Sequence, residues 1–184
     1  MTTPQRGDYH AEGTVWNHVL MSVARAAKLI EDYENPKDRE SVMLAVLLHD
    51  IGKPSTTAEV DGVIHQHGHE TAGIEPAKTF LDKLTTDAYV RENVLFLVEN
   101  HLTPPEYHRS GASDTAFRRL INKFGLEKLK MLATVSEADT TGRLHRNEDG
   151  TVVQPDNAPV KWFRERLDEV ARKHHRAFIF KIIL

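Results

Sequence analysis

The stretch LAVLLHDIGKP, residues 44–54, constrains this chain more than any other. It reads as an apolar helix that stops on a histidine and an aspartate. A carboxylate at the end of a core helix is costly to bury unless something pairs with it. His49 and Asp50 therefore need partners from distant parts of the sequence. Cysteine is absent, which excludes disulfides and thiolate metal sites, whereas histidine occurs 11 times and is the commonest protein ligand for metals near neutral pH. Any metal must be held by nitrogen and oxygen.

The rest of the chain offers a helical frame for those partners. Its 184 residues suit one domain with a sizeable core. Thr14 can cap a helix carrying Trp16, Val19, Leu20, Val23, Ala27 and Ile30, which the Asn35-Pro36 pair breaks. Asp38 is expected to cap a second helix through Val42, Ala45, Val46 and Leu48, ending near Gly52 and Pro54. An Asp-Gly turn inside STTAEVDGVIHQHGH predicts a small β-hairpin. Helices follow at about 70–84, 87–101, 113–124 and 126–138, with Asp87 and Ser113 as caps. Asp149-Gly150 marks a turn, and Pro159 can start a last helix through Trp162, Phe163, Leu167 and Val170. The expected fold is all-α, a helical bundle with a small hairpin excursion, spanning 1–184 as a single domain.

On this frame His18 lies inside the first helix and His49-Asp50 close the second. His69 opens the third, His101 ends the fourth, and Asp139 ends the sixth within EADTTGR. Helix ends beside apolar faces are where ligands from several helices can meet. Imidazoles with carboxylates suit a first-row divalent ion such as Mn²⁺, Fe²⁺, Co²⁺, Ni²⁺ or Zn²⁺, and an aspartate can bridge two of them. Such ions activate water for phosphoester hydrolysis.

The order His, His-Asp, Asp resembles the signature of the HD superfamily of metal-dependent phosphohydrolases. The words YHAEGTVWNHVLM, LLHDIGKP, HGHETAG and EADTTGR are similar to the HD domain that follows the nucleotidyltransferase head in bacterial CCA-adding tRNA nucleotidyltransferases, over about residues 9–146. The resemblance implies a helical HD fold and phosphatase or 2′,3′-cyclic phosphodiesterase chemistry. It implies that His18, His49, Asp50 and Asp139 hold a first metal and that His69 and His101 hold a second, with Asp50 bridging. No glycine-serine loop followed by paired aspartates is present, so the chain is not expected to add nucleotides.

Other residues follow from position. Lys53 is a turn from the His-Asp pair and is expected to neutralise a substrate phosphate, with a part in catalysis beside Asp50. Arg143 follows Asp139 by one turn and can clamp a phosphate bidentately. Glu70, beside His69, can orient a ligand or water, and His10 is placed to touch substrate. His65 and His67 alternate on the hairpin and can line the cleft. His108, His145, His174 and His175 read as surface. Arg118, Arg119, Lys123, Lys128 and Lys130 form a basic stretch, by default a solvated face and alternatively an RNA or nucleotide contact.

Three functions compete: hydrolysis of nucleotide or other phosphomonoesters, including cyclic phosphates; di-iron oxygenation; and non-catalytic binding of a metal or nucleotide. The net charge of -3 gives no reason to expect a duplex nucleic-acid partner. The N-terminus lacks a signal-like apolar run and no stretch reaches transmembrane length, so a cytoplasmic location without a membrane partner is expected.

Overall fold

The computed structural model describes residues 2–183, and for 174–183 the backbone alone. The expectation for His174 and His175 therefore lies outside the described side chains. Thr14 caps α1 (Val15–Leu29) by accepting from Asn17 N. α2 (Pro36–Leu48) starts earlier than Asp38, because Asn35 accepts from Lys37 N and Pro36 occupies the first turn. The pair that read as a breaker is a start signal, since proline lacks an N–H where the helix needs none. Asp38 instead sits in that first turn and accepts from Tyr89 Oη at 2.6 Å.

After α3 (Lys53–Thr56), strands β1 (Ala58–Val60) and β2 (Val63–His65) form the expected hairpin, with Val60 opposite Val63. Asp61 and Gly62, at φ 51° and 74°, supply the two positive φ values that a tight hairpin turn needs. The helix expected over 70–84 is two helices, α4 (His69–Ala72) and α5 (Ile74–Leu84), divided at Gly73. Asp87 caps α6 (Ala88–Asn100). α7 (Thr103–Ser110) was not anticipated; its two prolines lie in the first turn, where they are tolerated. Ser113 caps α8 (Asp114–Phe124), and α9 (Leu126–Thr141) carries three residues beyond the expected end. β3 (His145–Arg146) pairs with β4 (Val152–Val153), and α10 (Ala158–Ile183) is the last described element.

α2 lies at the centre, against α1, α6 and α9, while α10 covers α7, α8 and α9. A continuous core joins Ala26, Val42, Val46, Val94, Leu97, Leu132, Phe117 and Phe163. No described helix is long and apolar enough to cross a membrane.

Gly52 was read as a helix-ending glycine, but its φ of -81° is right-handed. Its role is contact. A Cβ there would lie 2.1 Å from the carbonyl oxygen of His69 and 2.6 Å from Gly73 N. Backbone cannot retreat as a side-chain tip can, so Gly52→Ala is expected to cost at least the ~1–3 kcal/mol typical of overpacking. Urea unfolding measures it; a midpoint equal to the parent's would mean that α4 is free to shift.

Candidate metal centre

The ends of three helices build the site. His49 and His101 are the capping residues at the C-termini of α2 and α6, and Asp139 lies in the last turn of α9. Each helix C-terminus carries roughly half a negative charge, which favours a cation. His49 Nδ1 donates to Val46 O at 2.7 Å and His101 Nδ1 to Val98 O at 2.7 Å. Both bonds satisfy carbonyls that the helix end leaves without a partner. His69 Nδ1 donates to Gln66 O at 2.8 Å in the same manner. A carbonyl only accepts, so the proton is on Nδ1 in all three rings and Nε2 is left to face inward.

The inward atoms form two groups that share Asp50. His18 Nε2 lies 3.2 Å from His49 Nε2, 3.1 Å from Asp139 Oδ1 and 3.7 Å from Asp50 Oδ2. His49 Nε2 is 3.4 Å from Asp50 Oδ2 and 3.9 Å from Asp139 Oδ1. On the other side His69 Nε2 is 3.2 Å from His101 Nε2 and 3.3 Å from Asp50 Oδ1. Ligands about 2.1 Å from one ion sit ~3.0–3.4 Å apart when adjacent and at most ~4.2 Å apart. Every distance obeys that limit. With all rings neutral, the facing Nε2 atoms at 3.2 Å are two acceptors, an arrangement relieved by a cation between them or by a second proton on His18 and His69. The residues fit a metal, and they are the buried groups His18, His49, Asp50 and Asp50, His69, His101, with Asp139 beside the first.

Without an ion the charges settle by protonation. Burial opposes the charged form of His18, yet Asp139, Glu12 and Asp50 prevail and raise its pKa to about 9. His69 is likewise raised, burial being outweighed by Asp50. Burial, helped by the charge on His49, pushes His101 down to about 3. Burial would raise the carboxyl pKa of Asp50 and Asp139, but the nearby cations hold both well below the usual carboxylate range.

A cavity of about 210 Å³ opens onto Asp50, His69, His101 and Asp139, with His10, Lys53, Gln66 and Arg143 on its walls. Arg143 is half-buried and forms no ion pair among the described residues. Lys53 departs from the free phosphate-binding cation expected of it. It is 5% exposed, its Nζ donates to Gln5 Oε1 at 2.6 Å, and it forms an ion pair with Asp50 Oδ2 at 2.7 Å. Its charge is thus already matched by Asp50. Glu70 is not on the cavity wall; its Oε2 lies 3.5 Å from His69 Nδ1, on the far side of that ring from the inward Nε2. His65 and His67 stack on each other at 5.3 Å, and Gln66 between them lines the cavity in their place. His108 is exposed as expected, whereas His145 is half-buried with its ring 5.6 Å from that of Tyr9.

Sequence reasoning overlooked Glu12 and Gln5. Glu12 lies in the word YHAEGT and its Oε1 is 2.8 Å from His10 Nδ1 and 3.2 Å from His18 Nδ1. Proximity to His10 was the signal available. Gln5, 48 residues from Lys53, offered none.

The HD domain family matches residues 15–144. The chain belongs to the HD domain family. Members of this family are generally metal-dependent hydrolases. Similar proteins include a multifunctional CCA protein of Mannheimia succiniciproducens, 30% identical over 145 residues that make up 76% of this chain and 33% of the relative. The multifunctional CCA protein of Neisseria meningitidis is 32% identical over 158 residues, 78% of this chain and 33% of its own length. That of Burkholderia mallei is 34% identical over 146 residues, 77% and 32% respectively. This HD domain chain thus spans about a third of the relatives it matches.

Proposed function

We propose that this HD domain hydrolyses small phosphoesters, nucleotide monoesters or 2′,3′-cyclic phosphates, with one or two divalent transition-metal ions. The observation that carries the reading is Asp50, whose two oxygens face separate groups of imidazole Nε2 atoms at one end of a cavity with Arg143 on its wall. His18, His49, Asp50 and Asp139 would hold the first ion, and His69 and His101 with Asp50 the second; Mn²⁺, Fe²⁺, Co²⁺, Ni²⁺ and Zn²⁺ all suit such donors. Bound, the metal supplies Lewis acidity toward a phosphoryl oxygen and makes water a better nucleophile.

The protein's own groups do the remainder. Arg143 binds the phosphate oxygens that point away from the metal side. Lys53, in an ion pair with Asp50 at 2.7 Å, keeps that carboxylate ionised. His10 borders the leaving group. The cavity is smaller than the ~300–1,000 Å³ of drug-sized pockets, so it admits a phosphate and its nearest atoms while the rest of the substrate lies outside. RNA is less well supported, since Lys128 and Lys130 of the basic stretch are paired with Glu92 and Glu127. We take the chain as a single domain because the core continues from α1 into α10.

Metal analysis followed by a panel of nucleotide monoesters and 2′,3′-cyclic nucleotides, each with the five metals, tests the proposal. Metal-dependent, chelator-sensitive turnover is expected. Oxygen uptake with iron, and no phosphoester turned over by any metal, would replace it with oxygenation. Arg143→Ala should lower kcat/KM by about 1.5–3 kcal/mol, the worth of a charge-assisted hydrogen bond, at unchanged metal content. Parent kinetics in that variant would return Arg143 to the role of a surface cation.

A further inference from the structure

Glu12 is a carboxylate beside the site that neither of the two metal groups includes, and unlike Glu70 it is shut away from solvent. Its side chain is 3% exposed. Oε1 accepts from His10 Nδ1 at 2.8 Å and lies 3.2 Å from His18 Nδ1. Oε2 accepts from Leu144 N at 2.8 Å, next to Arg143, while Ala11 N donates back to Leu144 O at 2.9 Å. The His10 and His18 rings stand edge to face with centroids 4.9 Å apart. Three segments therefore meet on one side chain: the N-terminal loop, the α1 that follows it, and, 132 residues further on, the chain leaving α9.

We propose that Glu12 is a positioning residue that orients His18 toward the metal and His10 toward the substrate, and ties both to the Arg143 segment. The tautomers follow from the chemistry. A carboxylate only accepts, so His10 donates its Nδ1 proton to it, and His18 Nδ1, 3.2 Å from Oε1 but not aligned for a hydrogen bond, carries its proton on the side that faces the same charge. The Nε2 of His18 is then free to face Asp139 and His49, and that of His10 makes no hydrogen bond among the described residues. A metal-binding histidine whose other nitrogen meets a carboxylate is more basic and better aimed, and losing such a partner costs ~10–100-fold in metal affinity or activity. A third ion held by His10, Glu12 and His18 is the competing use of the same atoms. It would require both Nδ1 atoms to lose their protons while His18 Nε2 is engaged elsewhere. The part concerning His10 rests on the hydrolase reading; the part concerning His18 does not.

Glu12→Gln tests it. An amide can offer its oxygen to the two rings or to Leu144, but not to both, because its other arm is a donor. The expected result, by chelator competition with Zn²⁺ or Mn²⁺ at fixed pH, is a ~10–100-fold weaker dissociation constant in a protein that keeps its helical circular dichroism. His10→Gln is expected to keep the parent metal affinity and lose kcat rather than KM. Glu12→Asp, which restores the charge and both acceptors, should recover part of the affinity, and it replaces the amide variant in the comparison if that variant does not fold. A folded Glu12→Gln protein with parent affinity overturns the proposal. So does a parent holding three ions per chain that falls to two in the variant, which would make Glu12 a ligand. If the parent turns over no phosphoester while the affinity loss is observed, the hydrolase reading fails and the Glu12–His18 part stands.

Discussion

Asp50→Asn is expected to abolish metal binding and hydrolysis together. Among the described residues Asp50 is the side chain shared by both imidazole groups, with Oδ2 3.4 Å from His49 and Oδ1 3.3 Å from His69. An amide is a far poorer ligand for a divalent ion, so the loss should exceed the ~10–100-fold that follows removal of a supporting partner. The same carboxylate neutralises the buried Lys53, and removing one partner of a buried pair costs on the order of 3–5 kcal/mol. The residual amide oxygen can still accept from Lys53, which places the expected cost toward the lower end. Helical content should persist, since the aliphatic core of α2, α6 and α9 does not involve the site. Elemental analysis, thermal unfolding and circular dichroism of the variant check these three points; full metal occupancy would remove Asp50 from the centre.

Metal-free protein is expected to be most stable near pH 6.5, with a loss on either side. His18 has a folded pKa of about 9 against 6.5. The folded state therefore binds the extra proton, and this stabilisation is present below 6.5 and lost as pH rises through 9. His101 has the opposite sign. Its pKa of about 3 means that the unfolded chain takes up a proton between pH 6.5 and 3 that the folded state refuses, so stability falls on acidification. Asp50 and Asp139, held well below the usual carboxylate range, steepen that acid limb. A raised pKa of this size corresponds to on the order of 3 kcal/mol, or roughly 6–12 °C in Tm for a chain of this length. Bound metal takes the place of the His18 proton, so affinity should rise with pH and the alkaline limb should vanish from the metal-loaded protein. Thermal scans from pH 5 to 9.5, with and without metal, would show it. An alkaline limb of equal depth in both samples would dissociate it from the site.

Much of the fold was legible because its signals are local. Thr14, Asp87 and Ser113 cap the helices they were expected to cap, and Asp61-Gly62 turns the hairpin. The errors arose where a local signal has two meanings. Asn35-Pro36 was read as ending α1, which stops at Leu29, whereas it begins α2; α7, which was not anticipated, opens with two prolines that a first turn accepts. Gly52 is a glycine because another backbone touches it, and Gly73 divides a helix at the same contact; neither touch can be read from neighbours in the chain.

The candidate site divides in the same way. By itself the sequence determined which residue types are available: histidines and aspartates at helix ends, no thiolate, and an order that identified the family. Those are properties of spacing and composition, which a chain carries before it folds. Tertiary structure decided what each residue faces. It brought His18 and Asp139, 121 positions apart, to 3.1 Å, turned Lys53 from solvent onto Asp50 and Gln5, and set Glu12 between two rings. The reason is physical. Burial makes a charge seek whichever partner the packed helices bring within reach, and that partner is fixed by the crossing of α1, α2, α6 and α9 rather than by distance along the chain.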